Sequence, residues 1–122
     1  MIVRCVRLLD SAGKAVLGTS DGWLTVNREY LVIEIHCTAN EVSFRVLADD
    51  DQTPILVPGE ALEVVDRVVP RSWSVFVEDQ LAPAFTIGPE QWRGDFWNRF
   101  FNADSTARGV FLRSVEEMMT NR

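Results

Sequence analysis

Between residues 2 and 87 every apolar stretch is short and is cut off by a turn signal, which leaves room for strands and little for helices. The stretches fall at 2–9, 30–37, 42–48, 55–57, 62–65, 73–78 and 85–87. Parallel neighbours would need crossover connections of roughly a dozen residues or more, usually helical. The intervals carry no helical pattern. The sequence therefore predicts six or seven short antiparallel strands that curl into a small barrel or sandwich.

The clearest unit is a hairpin. Along 30–37, Leu31, Ile33, Ile35 and Cys37 alternate with Tyr30, Val32, Glu34 and His36. Thr38 to Glu41 forms the turn, with Asn40 suited to a left-handed conformation. Val42, Phe44, Val46 and Ala48 then form an inward row, with Ser43 and Arg45 outward. Along 2–9 the alternation puts Arg4 and Arg7 on opposite faces. The glycine-rich stretch 10–22 reads as a long loop, and Asp79-Gln80 as a turn. Asp49-Asp50-Asp51-Gln52-Thr53-Pro54 ends the second hairpin strand, because the acids repel one another and proline donates no ladder hydrogen bond.

The pattern changes after residue 87. Gly88-Pro89-Glu90 resembles a helix start, with proline at the first helical position. Trp92, Phe96, Trp97, Phe100 and Phe101 follow as a helical stripe, interrupted by Gly94, with Asp95 as the cap of the second piece. A last helix starts near Asp104 or Ser105 and carries Ala107, Phe111, Val115 and Met118 on one face. The predicted architecture is α+β, mainly β: one domain over 1–122, with a β-rich barrel in 1–87 and a helical extension in 88–122 packed on it. A chain of 122 residues with 47% hydrophobic residues is large enough to bury such a core without staples.

The run from Leu24 to Ile33 resembles the second strand of SH3-like barrels, and the proline-bounded 55–57 run followed by Leu62-Glu63-Val64-Val65 resembles the end of that fold. The resemblance covers residues 2–66 and implies a small SH3-like antiparallel barrel. The paired tyrosines of proline-binding SH3 domains are missing, so peptide recognition is not implied. The whole chain also resembles a group of small uncharacterised bacterial proteins, through Pro70-Arg71-Ser72-Trp73, Gly88-Pro89-Glu90-Gln91-Trp92 and Phe96-Trp97. That likeness implies an immunity or interaction protein and supplies no activity.

Catalytic chemistry finds little footing. His36 is the one histidine, and neither a Cys-x-x-Cys nor a His-x-x-x-His spacing occurs, so no metal site is expected. Cys37 follows His36 on a strand and points the other way, which rules out a thiol–imidazole couple between them. Cys5 is the remaining geometric partner for His36. Cys5 and Cys37 both sit in apolar runs and read as buried free thiols. Gly13 to Ser20 has the outer spacing of a P-loop, yet Thr19 stands where the phosphate-binding lysine belongs. No cofactor is expected. Arg4 and Arg7 interrupt any apolar leader, and no apolar window is long enough to span a membrane, so the expected location is cytoplasmic.

Charge gives the partner expectation. Residues 29–66 carry nine acids against one base, Arg45, while the whole chain has a net charge of −6. Such a balance attracts basic partners and repels nucleic acid. Asp49, Asp50, Asp51, Glu60 and Glu63 are expected to form one acidic, partner-binding edge. Asp49-Asp50-Asp51 lacks the alternation and glycine of a calcium loop. Three functional readings follow. The first is a non-enzymatic protein-binding module, in its specific form an immunity-type inhibitor of a basic partner. The second is a small-molecule-binding protein or hydrolase with a pocket lined by Trp73, Trp92 and Trp97. The third is a homodimer through the aromatic tail.

Overall fold

The structure is a computed structural model and describes residues 1–9, 15–16, 23–50, 53–78 and 84–120. Asp51, the Asp79-Gln80 turn and most of the Gly13 to Ser20 segment lie outside the described residues. The strands are β1 (Ile2–Cys5), β2 (Leu8–Leu9), β3 (Ala15–Val16), β4 (Glu29–Cys37), β5 (Val42–Leu47), β6 (Pro54–Pro58), β7 (Leu62–Asp66), β8 (Trp73–Glu78) and β9 (Ala84–Pro89). Two helices follow, α1 (Phe96–Phe101) and α2 (Ser105–Thr120). The fold is α+β and mainly β, as the strand spacing predicts. One difference lies in the expected 10–22 loop, where β3 pairs with β2.

Among the described residues every strand pairing is antiparallel, and β4 is the hub. It pairs with β1 over Glu29 to Leu31, with β5 over Val32 to Cys37 and with β9 over Ile35 to Cys37. The main path runs β6-β5-β4-β1-β7, and β8 hangs on β9. Among the described residues β6, β7 and β8 each have one partner strand, so the sheet is open and the expected barrel does not close. The sequence of β6 contributes to this. Pro54 and Pro58 at its two ends supply no N–H to a further neighbour, which confines such a strand to an edge.

A β-bulge in β4 organises the interior. Val32 and Glu34 lie opposite Val46 and Arg45, which are consecutive on β5, so Ile33 is the extra residue. The strict alternation read from the sequence fails there. Tyr30, Val32 and Ile35 join one core with Val3, Cys5, Leu24, Val46 and Val57, inside the curl of the sheet. Ile33 instead joins a second core with Trp92, Phe96, Phe100, Phe111 and Val115, between sheet and helices. Trp73 packs against both. Other details also differ: Val42, read as inward, is exposed, and Ser43, read as outward, is buried.

The helical layer departs from the expected start. Pro89 closes β9 instead of opening a helix, and Glu90–Trp92 forms only a 3-10 turn. Gly94 takes φ +67°, a conformation that suits glycine, before α1 begins. Asp95 stands at the cap of α1 but makes no side-chain capping bond. Asp104 does cap α2: its Oδ1 accepts from the backbone N–H of Thr106 at 2.9 Å and of Ala107 at 3.2 Å. Its carboxyl is held below the ordinary value, first by the hydrogen bond from Arg99. Asn40 is not left-handed. Its turn is held by Thr38, whose Oγ1 accepts from the backbone N–H of Asn40 and Glu41. No described helix is long and apolar enough to cross a membrane.

Candidate functional site

The five acids expected at one edge have different surroundings. Asp49 turns inward: it accepts from Tyr30 Oη at 2.6 Å and Thr25 Oγ1 at 2.8 Å, and it pairs with Arg28 at 3.1 Å. Burial, and then the bond to Asp49, push the Tyr30 hydroxyl up to about 12. Asp50 ties down its own turn by accepting from Thr53 N and Thr53 Oγ1. Asp51 lies outside the described residues. Glu60 is exposed in the Gly59–Ala61 3-10 turn, and Glu63 is exposed on β7. The whole of β6 separates Asp50 from Glu60, roughly 15 Å of extended backbone. Tyr30→Phe is expected to destabilise the chain by about 1–3 kcal/mol, because Asp49 and the Thr25 N–H lose a buried partner; urea denaturation measures it.

Of the five, Glu60 and Glu63 are exposed on β7 and its flank, and Asp66 is exposed at the end of the same strand. In register, Glu63 faces Arg4 on β1, and Arg4 faces Glu29 on β4. One guanidinium thus lies between two carboxylates, 3.4 Å from Glu29 and 3.7 Å from Glu63. In the neighbouring row Val64 faces Val3, and Val3 faces Tyr30. That row begins in the first core and ends at Val64, which is 45% exposed. Val65, Asp66, Val68 and Val69 are exposed beside it. Acids and valines therefore interleave on one rim of the sheet, with the exposed Arg67 as a base among them. The sequence marked Glu60 and Glu63 there through charge alone; Val64 and Val65 read as part of a short strand, and nothing in their pattern shows that β7 has one partner strand among the described residues.

A buried polar group was missed by sequence reasoning. Glu34 is 2% exposed. Its Oε1 accepts from Arg45 Nε and its Oε2 from Trp97 Nε1, each at 3.1 Å. The Arg45 guanidinium lies 4.1 Å from the Trp97 ring centroid, in cation–π contact. A Cβ at Gly88 would come within 3.1 Å of the Glu34 side chain, so glycine permits this close packing. Burial pushes the Glu34 carboxyl up, and Arg45 pulls it back down. The available signal was that the one base of the acidic segment faces an acid across a hairpin. Enclosed beneath Trp97, this group fastens helix to sheet.

The other candidates for chemistry are apart. His36 Nδ1 lies 3.2 Å from Thr86 Oγ1. Cys5 sits beside Arg28, eight residues of β4 away from His36, roughly 25 Å along an extended strand, so the two form no couple. Burial pushes the thiols of Cys5 and Cys37 up. Among the described residues no group of three or more His, Cys, Asp or Glu is placed to hold a metal ion.

The aromatic stripe is largely core. Trp92 stacks on Phe96 and Phe111, and Trp97 meets Trp92 edge-on. Among the described residues the buried Trp92 Nε1 has no hydrogen-bond partner. Phe101 is the outlying member, 54% exposed. Trp92 is 2% exposed and stands inside the second core, while Trp73 lines a groove from which Trp92 and Trp97 are missing. The groove, of about 680 Å³, lies between the 68–73 segment and α2, with Leu31, Trp73 and Met118 among its apolar walls and Asp66, Arg71 and Glu117 among its charged ones. No protein-family model, curated protein or solved structure matches the chain.

Proposed function

We propose that this chain is a non-enzymatic protein-binding module whose β7 rim meets a basic partner. The observation that carries the reading is the interleaving of exposed Glu60, Glu63 and Asp66 with exposed Val64, Val65, Val68 and Val69. Exposed valines in such number on one rim are the mark of an interaction surface, and carboxylates among them select a partner by sign and speed its approach. An immunity-type inhibitor of a basic protein is the specific form. Asp49 has no part in the contact, since its carboxylate is engaged within the fold.

The test is charge reversal of Glu60, Glu63 and Asp66 to lysine, singly and together, with capture of partners from the source lysate. The triple variant is expected to lose a basic partner that the parent retains, and the parent's binding should weaken as salt rises. A partner bound equally by parent and triple variant at low salt would overturn the reading. A second reading, small-ligand binding, is favoured by the 680 Å³ groove, with Trp73 in its wall. Its check is a ligand screen read by tryptophan fluorescence, with Trp73→Phe as the control.

A further inference from the structure

We infer that β7 takes its partner by strand addition, as an extended segment alternating basic and apolar residues; this rests on the binding reading above. The strand is built to accept one. Among the described residues its one partner strand is β1, it contains no proline, and Glu63 through Asp66 are exposed. An edge strand leaves a row of backbone N–H and C=O groups that an incoming strand can satisfy.

The register defines what fits. A strand added beyond β7 continues the rows already crossing β4, β1 and β7, because directly opposed residues share a face. The row Glu29, Arg4, Glu63 runs minus, plus, minus, and a cation completes it. The two carboxylates share one guanidinium, so Glu63 is only half compensated. The adjacent row Tyr30, Val3, Val64 is apolar and opens to solvent at its last member, so an apolar side chain completes it. Asp66, whose Oδ1 accepts from the Val68 backbone N–H at 3.0 Å, offers its other oxygen as a second site for a cation beyond the bulge at Val65. The same acids disfavour a second copy of β7 as occupant, since like charges would lie close across the new pair. The other free edges select less. Pro54 and Pro58 interrupt the N–H row of β6, and the exposed Val75 and Val77 of β8 favour no sign of charge.

The probe is a fluorescein-labelled peptide of four Lys-Val repeats, titrated with the full chain at low salt and followed by anisotropy. Saturable binding is expected, with slowed amide exchange confined to residues 62–66. Methylating alternate backbone nitrogens of the peptide is expected to weaken binding roughly tenfold or more, since it removes ladder donors. Glu63→Lys should weaken the Lys-Val peptide and gain affinity for a Glu-Val counterpart; circular dichroism shows that this surface variant is folded. Equal binding of the methylated and plain peptides would overturn strand addition while leaving a basic-partner surface intact. Absence of Lys-Val binding, or exchange protection lying elsewhere, would overturn it as well, and the triple charge reversal judges the binding reading separately.

Discussion

Phe111→Ala is expected to lower the unfolding free energy by about 3–5 kcal/mol, a large part of the roughly 5–15 kcal/mol typical of a whole domain. Phe111 is buried and lies 4.7 Å from Phe100, 5.5 Å from Trp92 and 6.0 Å from Trp97, ring centroid to ring centroid. Its removal empties the middle of the second core, where α2 meets α1 and the Glu90–Trp92 turn. Neighbouring rings collapse poorly into such a gap, since they are held at fixed mutual angles by edge-to-face and stacked contacts. A urea titration should show the midpoint falling with its slope unchanged. Phe101→Ala is the matched control. Its ring packs on Trp97 but is half exposed, so the cost should stay near 1 kcal/mol or below. Equal losses at the two positions would mean that the stripe is not the core described above.

The helical layer was legible because its signals are local. Ala107, Phe111, Val115 and Met118 fall on one helical face, and all four are buried. Asp104 stands where a cap belongs, and caps. The strands and turn of the β4–β5 hairpin were legible for the same reason, although the alternation misplaced Val42 and Ser43. What failed is nonlocal. The bulge at Ile33 is set by the register against β5, and it moves Ile35 and Ile33 into different cores although they alternate evenly in sequence. Openness of the sheet depends on which strands find partners, and a valine-rich edge strand reads the same as an interior one. Charge counting marked Glu60 and Glu63, which are exposed on β7 and its flank. It also marked Asp49, whose carboxylate is bound within the fold by Tyr30, Thr25 and Arg28, because composition does not reveal hydrogen-bond partners.

Arg45→Met is expected to cost about 3–5 kcal/mol at neutral pH, since it strands the Glu34 carboxylate in a buried site. Trp97 also loses the guanidinium over its face. The double variant Glu34→Leu, Arg45→Met should recover much of the loss, because replacing a buried ion pair by apolar groups of similar size is often neutral or better. The pH dependence separates this account from simple repacking. Burial holds the folded-state Glu34 carboxyl above its ordinary value of 4.5, so the folded chain binds this proton more tightly than the unfolded chain does. The resulting stabilisation is complete below the ordinary value and is lost as pH rises through the folded value. Glu34→Gln removes that dependence, so its stability relative to the parent should rise between pH 4.5 and 7. In Arg45→Met the carboxyl loses the partner that pulls it down, so the loss of stability should grow on going to neutral pH and shrink near pH 4 to the part owed to the lost Trp97 contact. Denaturation curves across that range, read by tryptophan fluorescence, decide the matter: a penalty for Arg45→Met that stays constant with pH would mean that Glu34 is not the group left uncompensated.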